Sequence, residues 1–188
     1  MEDGFILNDC NYELKSPFNW IHPEGASRNH RYKIQAWIMI DELLRASIIS
    51  SDVDFLGTSR NIALDWIDRF LFGDESDEFC WYDMGTGQRA SLLAYITHKT
   101  ILDQYVPGKF LRNSKFNYSK SNLLKLVVAC EIHMLELMSE ERLAIHSNHG
   151  LFQMAGLLAL SSSLPIIKSS ETARKFAIEK IELMLNEH

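Results

Sequence analysis

Apolar residues recur three and four positions apart along nearly the whole chain, and no segment carries a convincing two-residue alternation of the kind a half-buried strand needs. That period predicts an all-α protein. After Pro23 the run ASRNHRYKIQAWIMIDELLRASII reads as one long helix, and Ile62, Ala63, Trp66, Ile67 and Phe70 mark a shorter one that Gly73 stops. A third helix is expected over residues 86–106, ended by Pro107-Gly108. A fourth is expected over 119–138, with Leu123, Leu124, Val127, Val128, Ile132 and Leu135 facing inward. The fifth starts near Ser147 and stops before Pro165. The sixth starts at Ser169 or Ser170 and carries Ala173, Ala177, Ile181 and Leu185 on one face. Six helices with short or moderate connections imply antiparallel hairpins, all within a single domain over residues 1–188.

A chain of 188 residues with 46% hydrophobic and 23% charged content can close one real core. Its formal charge of −6 argues against a general nucleic-acid binder, because duplex affinity rests on cations that neutralise phosphates. Cys10, Cys80 and Cys130 lie far apart and form neither a zinc knuckle nor a disulfide framework. The N-terminal MEDGFILNDC opens with acids where an export signal has a basic stretch and then an apolar core. No run reaches about 18 uninterrupted apolar residues, since 151–167 contains Gln153, three serines and Pro165, so no membrane partner is expected. As written the chain is expected to be cytoplasmic, whereas a longer parent chain could be exported.

Two segments have biased charge. GDESDE carries Asp74, Glu75, Asp77 and Glu78 but lacks the alternating ligands and central glycine of a calcium loop, so a solvated acidic turn is expected. Residues 108–125 hold five Lys or Arg and no acid, interleaved with Phe110, Phe116 and Tyr118; an exposed loop with a basic helix start is expected there, and nucleic-acid or sugar contact is the functional alternative. A third segment, AIHSNHGLFQMAG, gathers His146, Ser147, Asn148 and His149 at the mouth of the fifth helix. Three readings stay open for it: two ligands of a metal with no third at a zinc spacing, a Ser147 or Asn148 helix cap, or a helix N-terminus that holds an anion.

Three segments in order resemble the N-terminal α-helical toroid of the heparinase II/III and alginate lyase superfamily: WIHPEGASRNHRYKIQAWI, WYDMGTGQRASLLAYI, and SNHG followed by LFQMAGLLALSSSLP. The resemblance implies antiparallel helical hairpins forming part of an (α/α) toroid. It implies β-elimination on a uronate sugar, in which a base removes the proton at C5 while the neighbouring carboxylate is neutralised. Asn148 would neutralise that carboxylate and His149 would assist or act as the base. Tyr82, Asp83, Arg89 and His146 would line or brace the substrate cleft, and Trp81 and Trp20 would offer stacking faces. The partner implied is an acidic polysaccharide or oligosaccharide, with no metal or other cofactor.

The family also places a catalytic tyrosine beyond the helix that follows the Asn-His pair, and a C-terminal β-sandwich that brings another histidine. Tyr12, Tyr32, Tyr82, Tyr95, Tyr105 and Tyr118 all lie elsewhere. The expectation is therefore a lyase-type domain with little or no activity as this short chain. The alternative is a non-catalytic helical module that binds glycan or protein, or a homo-oligomer formed through uncovered apolar surface.

Overall fold

Short polar side chains open the helices where they can accept a free amide. Ser27 accepts from His30 N to begin α1 (Arg28–Gln35), Asp52 accepts from Asp54 N to begin α3 (Val53–Trp66), and Ser119 accepts from Asn122 N to begin α5 (Lys120–Leu137). Ser147 accepts from His149 N to begin α6 (Asn148–Ser163). The remaining helices are α2 (Ile38–Ser50), α4 (Asp83–Tyr105) and α7 (Ser170–Asn186). This computed structural model describes residues 4–105 and 119–186, and over them the fold is all-α apart from one small hairpin. No helix among the described residues is long and apolar enough to cross a membrane.

That hairpin departs from the strand-free expectation. β1 (Gly4–Leu7) and β2 (Cys10–Glu13) pair antiparallel around Asn8 and Asp9, both at positive φ (48° and 65°), as a tight two-residue turn requires. Strands of four residues are too short to show a period. Only Leu7 and Tyr12 of the pair are buried, and the Tyr12 hydroxyl meets Nε2 of the buried His30 at 2.6 Å. Burial lowers the pKa of His30, so the ring sits there neutral.

The expected long helix after Pro23 is two helices. Trp37 lies between α1 and α2 at φ 65°, a left-handed conformation that costs a non-glycine residue about 1–2 kcal/mol. Its indole is fully buried, edge-on to Trp66 at 5.5 Å, and that burial offsets the cost. On α5 the inward face also differs from expectation. Leu124 and Leu135 are 63% and 55% exposed, while Leu126, Ala129, Cys130, His133, Met134 and Leu137 are buried. Counting apolar residues chose the wrong side because the buried side contains a histidine. α7 buries Ala173, Ala177 and Met184 but leaves Leu185 in solvent.

The acidic turn is stitched into the fold rather than merely solvated. Asp77 meets Nε2 of His22 at 3.0 Å and accepts from Phe79 N, Glu75 pairs with Arg69, and Glu78 pairs with Arg31 at 2.6 Å.

Two consecutive pairs pack antiparallel, as expected: Arg89 meets His133 and Thr97 meets Cys130 across α4 and α5, while Gly150 near the start of α6 faces Met184 near the end of α7. The closest approach, however, is a parallel one. Along α4 and α6 the contacts advance together, from Asp83 with His149, through Gly87 with Phe152 and Gly156, to His98 with Ser163. The pair α1 and α4 does the same, through Arg28 with Tyr82, Tyr32 with Gly85 and Gln88, and Gln35 with Arg89. Three helices therefore point their N-termini the same way.

Gly87 and Gly156 make the α4–α6 approach possible, since a Cβ on either would overlap backbone atoms of the opposite helix. Neither backbone can yield as a flexible side chain would. Gly156→Ala is expected to lower unfolding stability by about 2 kcal/mol or more. Urea denaturation measures this, and an unchanged midpoint would show that the two backbones do not meet there.

Candidate functional site

The aligned N-termini of α1, α4 and α6 bring the chemistry-bearing side chains to one end of the helices. Asp83 is the first residue of α4 and His149 the second of α6; Oδ2 of Asp83 lies 3.1 Å from Nδ1 of His149, and both side chains are about a quarter to a third exposed. The other Asp83 oxygen accepts from Met84 N. The Tyr82 ring stands edge-on to His149 at 6.1 Å and to Tyr32 at 5.5 Å, and the Tyr32 hydroxyl donates to Gln88 at 2.6 Å. Burial raises the pKa of Tyr32, so its proton stays on that bond. Asn148 opens α6 with an exposed side chain, and His146 is exposed two residues earlier. The turn that delivers them is held by Gln153, which donates to Arg142 O at 2.8 Å and accepts from Ala144 N at 2.9 Å.

A cleft of about 430 Å³ opens beside this cluster, lined by Arg28, Arg31, Glu78, Phe79 and Tyr82. The Arg28 guanidinium lies 5.3 Å from the Tyr82 ring centre and 5.9 Å from that of Phe79, and Arg31 lies 5.1 Å from Phe79. Arg28 and Phe79 were not singled out from the sequence. A signal was present: α1 begins with Arg28 and carries no acid in its first turn, an adverse arrangement against the positive end of a helix dipole.

The other site expectations fare differently. Arg89 is not in the cleft; it is fully buried and acts as an internal brace. Its Nε donates to Nε2 of His133 at 2.9 Å, one Nη to Gln35 O at 2.6 Å and the other to Cys80 O, while its guanidinium lies 4.1 Å from the Trp66 ring centre. Burial pushes its pKa down to about 9, which leaves it a cation at neutral pH. Trp81 is half-buried against Trp66, His133 and Arg89, so its ring belongs to this interior cluster rather than to a sugar platform. Trp20 is also core, 4% exposed, with its indole N–H donating to Asp65 at 2.7 Å. The basic stretch lies largely outside the described residues, although Lys125 pairs with Asp68 at 2.6 Å. Among the described residues no three His, Cys, Asp or Glu side chains come together to hold a metal ion.

The chain matches no protein-family model, no curated protein and no solved structure. The positive helix N-termini and the donor N–H groups of the Asn148 side chain suit a carboxylate. With Asp83 ionised, its hydrogen bond holds the proton of His149 on Nδ1, which leaves Nε2 as an acceptor for a substrate proton.

The buried pair sets a pH prediction. Nε2 of His133 accepts from Arg89, and its Nδ1 donates to Ala129 O at 2.8 Å, so the ring is neutral; burial first, and then the charge of Arg89, push its pKa down to about 3. Since the unfolded ring protonates at a higher pH than the folded one, the stability it contributes is fully present above about pH 6.5. It is lost progressively below that, by a few kcal/mol in total towards pH 3, and His30 acts in the same sense. Between pH 7 and 5 the denaturation midpoint is expected to fall while the His133 imidazole stays neutral by NMR. A His133 signal that titrates near pH 6.5 would contradict the buried geometry.

Proposed function

We propose that the chain binds an acidic saccharide, with a uronate carboxylate held at the N-terminus of α6 by Asn148 and with the His149 ring beside it as the proton acceptor. One observation carries this reading: α1, α4 and α6 run parallel, so three positive helix ends, the Asp83–His149 pair and the Tyr82 ring converge on one mouth. In a ring of antiparallel hairpins every second helix runs the same way, so α4 and α6 support the toroid reading as well. The resemblance to heparinase II/III and alginate lyases names the reaction that such a site would serve.

In that reaction neutralising the carboxylate acidifies the proton at C5 of the sugar. Asn148 donates to the carboxylate, and Nε2 of His149, oriented by Asp83, accepts the C5 proton as the bond from C4 to the glycosidic oxygen breaks. The departing oxygen takes its proton from solvent water, and Nε2 later gives the C5 proton up to solvent. A single preorganised donor contributes on the order of 10²–10³ in rate, a fraction of what elimination needs. This chain accordingly binds with little or no cleavage, as a non-catalytic glycan-binding module with the same site would.

Calorimetric titration with a uronate oligosaccharide is expected to show binding that Asn148→Ala weakens by about tenfold, the loss of one charge-assisted hydrogen bond. Ultraviolet absorbance of the unsaturated product is expected to stay near background. Robust product would refute binding without turnover. The absence of any binding would refute the saccharide site altogether.

A further inference from the structure

The N-terminal hairpin is fastened to the helices by one imidazole. Of residues 4–13 only Leu7 and Tyr12 are buried, and the side-chain hydrogen bonds that tie the hairpin to a helix, among the described residues, both end on His30 of α1. The Asn8 amide N–H is directed at Nδ1 at 3.5 Å, so the ring proton sits on Nε2 and is donated to the Tyr12 hydroxyl at 2.6 Å. Beneath this contact the chain is pinned elsewhere. Tyr12 stacks on Phe18 at 5.8 Å, and the Phe18 N–H and the Trp20 indole N–H both donate to Asp65 of α3. The plane between Tyr12 and Phe18 is therefore where the hairpin can part from the body.

No carboxylate bonds to the His30 ring among the described residues. The ionisable groups around it are Tyr12 on the hairpin, His22 before α1 and Lys33 on its own helix. His22 stands edge-on to it at 6.5 Å and meets Asp77 of the acidic turn at 3.0 Å, so that acid is already engaged. A proton added at Nδ1 would bury a charge without a counter-ion and set two N–H groups face to face. Burial first, and then His22 and Lys33, hold the ring below the usual histidine pKa. In water the same ring protonates at about pH 6.5.

We propose that His30 is an acid-sensitive latch: the neutral ring keeps the hairpin docked, and acid releases it while the helices stay folded. Release uncovers Tyr12, the outer face of Phe18 and the imidazole itself. The docked ring takes up a proton less readily than the open one, so docking is at full strength above about pH 6.5 and weakens as the pH falls. The latch is independent of what the mouth of the helices binds.

A two-stranded hairpin detached from the body is not stable in water, so its amides report release. Hydrogen exchange, corrected for the intrinsic rate at each pH, should show the protection of the 4–13 amides falling about tenfold from pH 7.5 to 5.5, the effect of one proton bound only by the open form. At both pH values these amides should be far less protected than those of α4 and α6. His30→Gln, which keeps a donor and an acceptor but takes up no proton, should abolish the pH dependence whatever it does to the protection itself. Asn8→Asp, at an exposed turn position, sets a carboxylate beside Nδ1 and should keep the hairpin docked at pH 5.5. Equal hairpin protection at the two pH values, a fall that survives His30→Gln, or an Asn8→Asp hairpin that opens as readily as the wild type overturns the latch. Hairpin amides as protected as those of α4 and α6 overturn it too, since the hairpin would then open only when the whole chain unfolds.

Discussion

The fold is organised around a buried arginine that has no acidic counter-ion among the described residues. Arg89 lies inside a cage of Trp37, Trp66 and Trp81 and spends its hydrogen bonds on the end of α1, the approach to α4 and the middle of α5. Removing such a charge from water costs several kcal/mol, so the cage is tolerable only because three acceptors and the aromatic faces replace the solvent. The same contacts fix the His133 tautomer and bring Gln35 up to Trp66, whose indole N–H donates to the Gln35 amide oxygen at 2.7 Å. Four separate stretches of chain thus share one point of reference. The Trp81–Asp83 segment leads straight out of it to the surface.

That route connects the interior to the candidate site. Trp81 is anchored inside, so Tyr82 and Asp83 emerge at a defined place at the start of α4, where Asp83 reaches His149. Arg89 thereby acts on the site from within without touching it. The bond between Tyr32 and Gln88 repeats the arrangement on the α1 side. The surface cluster is a consequence of how the core is ordered.

Much of this was readable from residue types with strong local rules. Ser147 before Asn148 announced the start of α6, and Pro165 announced its end. Asn148 and His149 were expected at the start of a helix near the 81–89 segment, and His149 meets Asp83 there. What escaped was decided by tertiary contacts. An arginine is normally a surface residue, and no local rule tells when three tryptophans will enclose one. Trp37 adopts a left-handed backbone because its ring is wanted inside, and a helical period cannot reveal that. On α5, His133 and Cys130 define the buried side, so a count of leucines and valines pointed to the wrong one. The hairpin at residues 4–13 was too short to leave a pattern, although two adjacent turn formers, Asn8 and Asp9, stand at its tip.

The contact between Gly87 and Gly156 has a bearing on how this molecule tolerates change. The spacing of α4 and α6 is set where main chain meets main chain, not by side chains that could swell, shrink or rotate. Substitutions elsewhere in the core can therefore weaken the protein without altering the width of the mouth. Stability and site geometry become separately adjustable, and a lineage could vary its interior freely while the gauge between Asp83 and His149 stayed the same.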